Sequence, residues 1–186
     1  MKDGASFWMF SISISISTSA MLAIAGLTLF GIVNKHRSFW PPPNAEGWQH
    51  TAFRVLFRSY FYGLLTVSAL DFEPTKNRLY AGLPLLIIGF GCALFWTNYL
   101  GWRNAFGKPD GLRTSGVYRF SRNPIYLASI IGMVGWAIVV PSWKVTVLLS
   151  LWAALYIVAP WVEEPWMTRK YGKAFVQYKE STPRFL

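Results

Sequence analysis

Ser11-Ile12-Ser13-Ile14-Ser15-Ile16-Ser17 alternates polar and apolar residues with a period of two, the pattern of a half-buried strand. Its surroundings overrule that pattern. No charged residue occurs between Asp3 and Lys35, so the septet lies inside an apolar run over about 5–33. Crossing a bilayer takes about 20 mostly apolar residues in helical form. An open strand in lipid would leave its backbone N–H and C=O groups without partners, whereas a helix satisfies them internally. The run is therefore predicted to be a membrane-crossing helix, with small Ser side chains that let a neighbouring helix approach closely. A cleaved signal peptide is the competing reading, because Lys2 precedes the run and Ala23 and Ala25 lie within it. The run is longer than the apolar region of such a peptide, about 7–15 residues.

Four further apolar blocks follow, over about 52–70, 79–102, 125–140 and 143–160. The connectors are polar: 34–50 with the stiff Trp40-Pro41-Pro42-Pro43, 71–77 with Pro74, the longer 103–123, and Pro141-Ser142. The last of these is a tight break, so blocks four and five are predicted to form a helical hairpin. Pro165 disfavours helix at Glu164 and should break the chain there. The tail over 163–186 places Met167, Tyr171, Phe175 and Tyr178 at helical spacing. It reads as an amphipathic helix lying on the membrane surface. The expected fold class is an all-α integral membrane protein with about five transmembrane helices, a hairpin of helices 4 and 5, and a C-terminal amphipathic helix. Five spans use up most of 186 residues, so a single domain over 1–186 is expected.

Composition agrees. Charged residues make up 14% of the chain, against about 25% in an average soluble domain. Ten Trp, nine Tyr and fourteen Phe suit bilayer interfaces. The net charge of +10 does not point to nucleic acid, because the basic residues sit between apolar blocks, where anionic headgroups attract them. The lipid bilayer is the expected partner. Most of the 18 Lys and Arg residues fall in the first connector with the start of block two, in 103–123, and in the tail. By the positive-inside rule these three segments are cytoplasmic, with the N-terminus outside and the C-terminus cytoplasmic. The 103–123 loop and the tail then share one face and can build one site. Cys92 is the single cysteine, so no disulfide forms within the chain.

Two clusters can carry chemistry. In Gly116-Val117-Tyr118-Arg119-Phe120-Ser121-Arg122-Asn123-Pro124-Ile125-Tyr126, Asn123 reads as a helix N-cap and Pro124 as the first helical residue. A helix start favours an anion. Arg119 and Arg122 add guanidinium groups that can grip one bidentately. Tyr118 and Tyr126 can pack on a flat ring or a cation. The plain alternative is an interfacial turn with ordinary basic and aromatic anchors. The second cluster is Glu163-Glu164-Pro165. Two acids at a helix C-terminus are unfavourable for the dipole and need a cation. Either Arg119 or Arg122 supplies it, or a bound ammonium or sulfonium does. Gly89-Phe90-Gly91 reads as helix packing. His36 and His50 have no partners at ligand spacing, so no metal site is expected. No P-loop and no nucleophile elbow is present.

These clusters, followed by Tyr171-Gly172-Lys173-Ala174-Phe175-Val176-Gln177-Tyr178, resemble the isoprenylcysteine carboxyl methyltransferase and phospholipid methyltransferase superfamily. The resemblance covers about the last 75 residues. The family pattern runs G-x-Y-R-x-x-R-H-P-x-Y-x-G, then a Glu pair, then F-G-x-x-Y-x-x-Y. This chain departs from it at Asn123, where many members have His, and at Ala128, where Gly is usual. The resemblance implies an S-adenosylmethionine-dependent methyltransferase with a cofactor-binding part over about 103–186. There the cofactor is held at the cytoplasmic ends of the last helices beneath a C-terminal cover, and a lipidic or small hydrophobic acceptor arrives from the bilayer. On that reading Tyr118, Arg119, Arg122, Asn123, Pro124, Tyr126, Glu163 and Glu164 are the cofactor-binding candidates. Arg54, Arg58, Tyr178 and Arg184 are the acceptor candidates. No catalytic base is nominated, since a carboxylate acceptor needs none. Two other readings compete. One is a nicotinamide-dependent membrane reductase of sterol-reductase type, whose members are about twice as long. The other is a non-catalytic membrane scaffold whose Arg and Glu clusters only pair with each other.

Overall fold

The computed structural model describes residues 4–33, 39–42, 47–108 and 110–186. Lys2, His36 and Pro43 lie outside them. Among the described residues all regular structure is helical: α1 (Gly4–Val33), α2 (Trp48–Leu70), α3 (Lys76–Leu100), α4 (Trp102–Ala105), a 3₁₀ turn (Gly116–Arg119), α5 (Pro124–Val139), α6 (Trp143–Tyr171) and α7 (Lys173–Ser181).

The Ser-Ile alternation lies within α1, as expected. Ser17 is fully buried and donates to the Tyr60 carbonyl oxygen of α2 at 3.2 Å. Ser15 bonds back to the Ser11 carbonyl at 2.8 Å. The close approach is completed by Gly63 on α2, where a Cβ would collide with Ser17 Oγ and come within 2.8 Å of the Ser13 carbonyl oxygen. Gly63→Val is therefore expected to push α1 from α2 and lower the melting temperature in detergent. Overpacking of this kind costs about 1–3 kcal/mol, or about 2–12 °C for a chain of this size.

The most extensive helix contact is between α3 and α5. A Cβ on Gly89 would run into the Gly132 backbone of α5, and one on Gly82 would lie 2.8 Å from the Gly135 carbonyl oxygen. Gly91, two residues on, faces open space. Packing is thus the role of Gly89 but not of Gly91. α5 and α6 are consecutive and in contact across Pro141-Ser142, yet α5 packs far more on α3 than on α6. The hairpin is the lesser of its two interfaces. Ser142 caps α6 by accepting from the Val145 N–H at 3.5 Å and donates to Asp71 at 2.8 Å.

Among the described residues, three helices are long and apolar enough to cross a membrane: Gly4–Gly31, Lys76–Leu100 and Trp143–Tyr171. α5 is apolar but has only 16 residues, and α2 carries Arg54 and Arg58.

Two expectations about the C-terminal part are corrected. The chain does not break at Pro165: α6 continues through Pro160 and Pro165 to Tyr171. Each proline removes one N–H from the helix ladder, but membrane helices tolerate such gaps where neighbours re-satisfy the carbonyls. Nor is the tail one amphipathic helix from 163. It divides at Gly172, whose φ of +56° ends α6 and starts the nine-residue α7. A left-handed residue without a Cβ is the ordinary way to stop a helix. The apolar face of α7 is turned inward: Phe175 and Tyr178 are buried against Tyr118, with Met167 and Tyr171 alongside.

The core lies where α1, α2, α5 and α6 meet, around Met21, Tyr60, Leu64, Val67, Val145 and Leu148. The Tyr60 hydroxyl donates to the Leu148 carbonyl at 3.0 Å, and the Trp136 indole donates to Ser68 at 3.1 Å. α2 and α3, although consecutive, barely touch. A cleft remains between the α1–α2 pair and the α3–α5 pair.

Candidate functional site

That cleft is part of a cavity of about 1070 Å³, at the upper end of the ~300–1,000 Å³ typical of small-molecule sites. Its walls are apolar and aromatic: Phe61 and Leu65 of α2, Leu86 and Phe90 of α3, Trp136 of α5 and Trp152 of α6. One end is polar. There it is lined by Tyr118, Arg122, Asn123, Tyr126, Glu163, Glu164 and Tyr178.

The two acids face different surroundings because adjacent helical residues project about 100° apart. Glu164 is 8% exposed. It binds the Arg184 guanidinium through two oxygens, at 2.7 and 2.8 Å, and Arg122 at 3.1 Å. One carboxylate shared between two guanidiniums leaves net positive charge, which suits an anion. The Arg184 guanidinium also stacks over Trp161 at 4.1 Å. The chain end is strapped down over the start of α5. The Arg122 N–H donates to the Pro183 carbonyl at 3.0 Å, and Asn123 Nδ2 donates to the Arg184 carbonyl at 2.9 Å. Glu163 points elsewhere. Its Oε1 accepts from the Tyr126 hydroxyl at 2.6 Å and from the Trp40 indole at 2.9 Å. The Tyr126 ring lies 4.6 Å from that of Tyr156.

Asn123 holds the N-cap position and Pro124 opens α5, as the sequence predicts. The Asn123 side chain, however, does not cap the helix; it is turned to the chain end instead. Tyr178 donates to the Tyr118 carbonyl at 2.6 Å. Burial pushes the Tyr178 hydroxyl up to about 12 and raises that of Tyr118 further, so both stay protonated. An unfolded tyrosine ionises near 10. The stability tied to the Tyr178 proton is therefore full below about pH 10 and is lost as pH rises through 12. Tyr178→Phe should cost about 1 kcal/mol and remove that alkaline dependence, read as melting temperature against pH.

Besides both ring nitrogens of His50 and the Trp152 indole nitrogen, two buried polar atoms have no partner among the described residues: Arg122 Nε and the Tyr118 hydroxyl. Both residues line the polar end. Such orphans are costly, and a ligand carrying acceptor oxygens would satisfy both.

The other predicted residues fall outside the lining. Arg184 stands behind Glu164, and Pro124 is buried. Arg119 is exposed and stacks on Phe120 at 4.5 Å. The pairing of the acids is thus with Arg122 and Arg184 among the described residues, not with Arg119. Arg54 and Arg58 are exposed on α2, off the cavity. Sequence reasoning missed Trp40 and Tyr156, which line the cavity around Glu163. Trp40 gives no signal beyond an aromatic residue before prolines.

The sequence model of the phospholipid methyltransferase family matches residues 77–174. No curated protein and no solved structure matches the chain. The matched span contains Arg122, Tyr126, Glu163 and Glu164. It stops short of Tyr178 and Arg184 and leaves out α1, α2 and Trp40.

Proposed function

We propose that this chain, which belongs to the phospholipid methyltransferase family, is an integral membrane enzyme that transfers a methyl group from S-adenosylmethionine to a lipidic or small hydrophobic acceptor. The observation that carries this reading is the polar end of the apolar cavity, where Arg122 and Tyr118 present unpartnered buried atoms beside Glu163. The ordered motifs of the last 75 residues, similar to isoprenylcysteine carboxyl methyltransferases, support it.

The residues present fit the cofactor. Arg122, with net positive charge around it, would hold the α-carboxylate. Glu163 would hold the ammonium or a ribose hydroxyl through its second oxygen. Tyr118 and Tyr126 would pack against the adenine. Glu164 acts from behind, keeping Arg122 in place and tying down the chain end as a cover. The cofactor itself supplies a methyl group already activated by its sulfonium. The protein's share is to align the acceptor and exclude water, and alignment alone is worth ~7–11 kcal/mol. The cleft between α2 and α3 would admit the acceptor's apolar part from the bilayer.

In this reading α1, α2, α3, α5 and α6 all cross the membrane, with the N-terminus outside and the polar end of the cavity cytoplasmic. Arg54 and Arg58, near the start of α2, reach toward headgroups rather than the acceptor. The test is thermal stability in detergent. S-adenosylmethionine or its demethylated product, S-adenosylhomocysteine, should stabilise the protein, by about 2.7 kcal/mol at a hundredfold excess over Kd. NADPH should not. Stabilisation by NADPH alone would move the assignment to the reductase reading.

A further inference from the structure

We propose that Trp40 is a positioning residue of this site, whose indole N–H holds Glu163 so that the carboxylate's second oxygen faces the ligand. The inference rests on the cofactor reading above and extends it to a segment beyond the family match. Trp40 belongs to the connector between α1 and α2, far in sequence from 77–174. Its Nε1 lies 2.9 Å from Glu163 Oε1, and the Tyr126 hydroxyl lies 2.6 Å from the same oxygen. Among the described residues both donors reach Oε1, and none reaches Oε2. A carboxylate has about four acceptor positions. Here one oxygen is fixed by neutral donors and the other keeps its capacity for an ammonium or hydroxyl group.

The indole is itself fixed from two sides. It stacks on Phe53, with ring centroids 4.1 Å apart and planes 23° apart. Below it sits Gly107, in the loop that leads to the first cluster. A Cβ on Gly107 would lie 3.0 Å from Pro42 Cδ and 3.4 Å from Trp40 Cη2, and its φ is +72°. Only a glycine turn lets the connector seat there. Pro41 and Pro42 restrict the backbone next to the indole. Three segments distant in sequence therefore meet at Trp40: the connector, the 103–123 loop and α6. A tryptophan that only anchored the protein at the interface would turn its N–H to the headgroups. This one turns its N–H to a carboxylate that lines the cavity.

Trp40→Phe keeps the ring against Phe53 and removes the donor. Its affinity for S-adenosylhomocysteine, measured by calorimetry on the full chain in detergent, is expected to fall about tenfold. In a Glu163→Gln background the outward-facing atom is already a donor, so Trp40→Phe should have no further effect. Trp48→Phe, at an exposed tryptophan at the start of α2 outside the cavity lining, should keep affinity within about twofold. Three results would overturn the role: wild-type affinity for Trp40→Phe, an equal loss in both backgrounds, or a tenfold loss for Trp48→Phe as well. A wild-type protein that binds neither cofactor nor product contradicts the cofactor reading itself, and the role of Trp40 falls with it.

Discussion

Glu163→Gln is expected to reduce methyl transfer by about a hundredfold while leaving the protein folded. Tyr126 and Trp40 both donate to Glu163 Oε1, and a glutamine carbonyl accepts from the same two groups. The scaffold of the site is therefore kept. What changes is the second position, where an oxygen that accepts becomes an NH₂ that donates, and the negative charge is lost. A hydrogen bond to a charged group is worth about 1.5–3 kcal/mol, and each 1.4 kcal/mol is about tenfold. The loss should appear in cofactor affinity and in transfer at low cofactor concentration. The melting temperature without ligand should stay within a few degrees of wild type. Arg122→Gln is the companion test for the anion end, but it also removes a partner of Glu164 and should lower stability as well as binding.

Gly89→Leu is expected to cost the fold about 3 kcal/mol or more, and Gly91→Leu almost nothing. The two positions are on one helix, share one propensity change and differ in what lies opposite. At Gly89 a Cβ would meet the Gly132 N–H and Cα and come within 2.8 Å of the Ala128 carbonyl oxygen. Those are backbone atoms, which cannot rotate away, so α3 and α5 must separate. Membrane helices associate largely through such close packing, and overpacked sites cost about 1–3 kcal/mol and sometimes more. For a chain of this size that is a fall of roughly 6–12 °C, or loss of a monodisperse peak on size exclusion. At Gly91 nothing lies within 4 Å, and a leucine there faces open space. Equal destabilisation by both changes would contradict the packing role of Gly89.

The parts legible in the sequence were those set by local rules. The Ser-Ile run had to be helical in lipid, and Pro124 had to open a helix. The run 116–126 and the acid pair had to share a face if the charge asymmetry was obeyed. The structure brings Tyr118, Arg122, Asn123, Tyr126, Glu163 and Glu164 to one end of one cavity. What was not legible depends on partners far along the chain. Pro165 read as a breaker because its effect on Glu164 is local, while the packing that carries α6 through it is not. The acid pair read as a unit, yet its members project to different sides and do different things: Glu164 is taken up by Arg122 and Arg184, and Glu163 by Tyr126 and Trp40. Trp40 read as an interfacial anchor because nothing near it in sequence shows the carboxylate more than a hundred residues on.

The departure at Asn123 also has a physical counterpart. Its amide reaches the Arg184 carbonyl, so the side chain helps close the strap over the start of α5. A histidine ring at this position would have to make that contact through one ring N–H. Arg184 serves the same closure through Glu164, although it does not line the cavity.

Methyl transfer itself is the most direct measurement. Purified wild-type protein in lipid nanodiscs is supplied with S-adenosylmethionine carrying a labelled methyl group and with lipid extracted from native membranes, and the label is followed into the organic phase. The expected result is time-dependent labelling of a lipid-extractable product that falls about a hundredfold in Glu163→Gln. Label that stays wholly in the aqueous cofactor pool, or a product formed equally well by Glu163→Gln, would contradict the account.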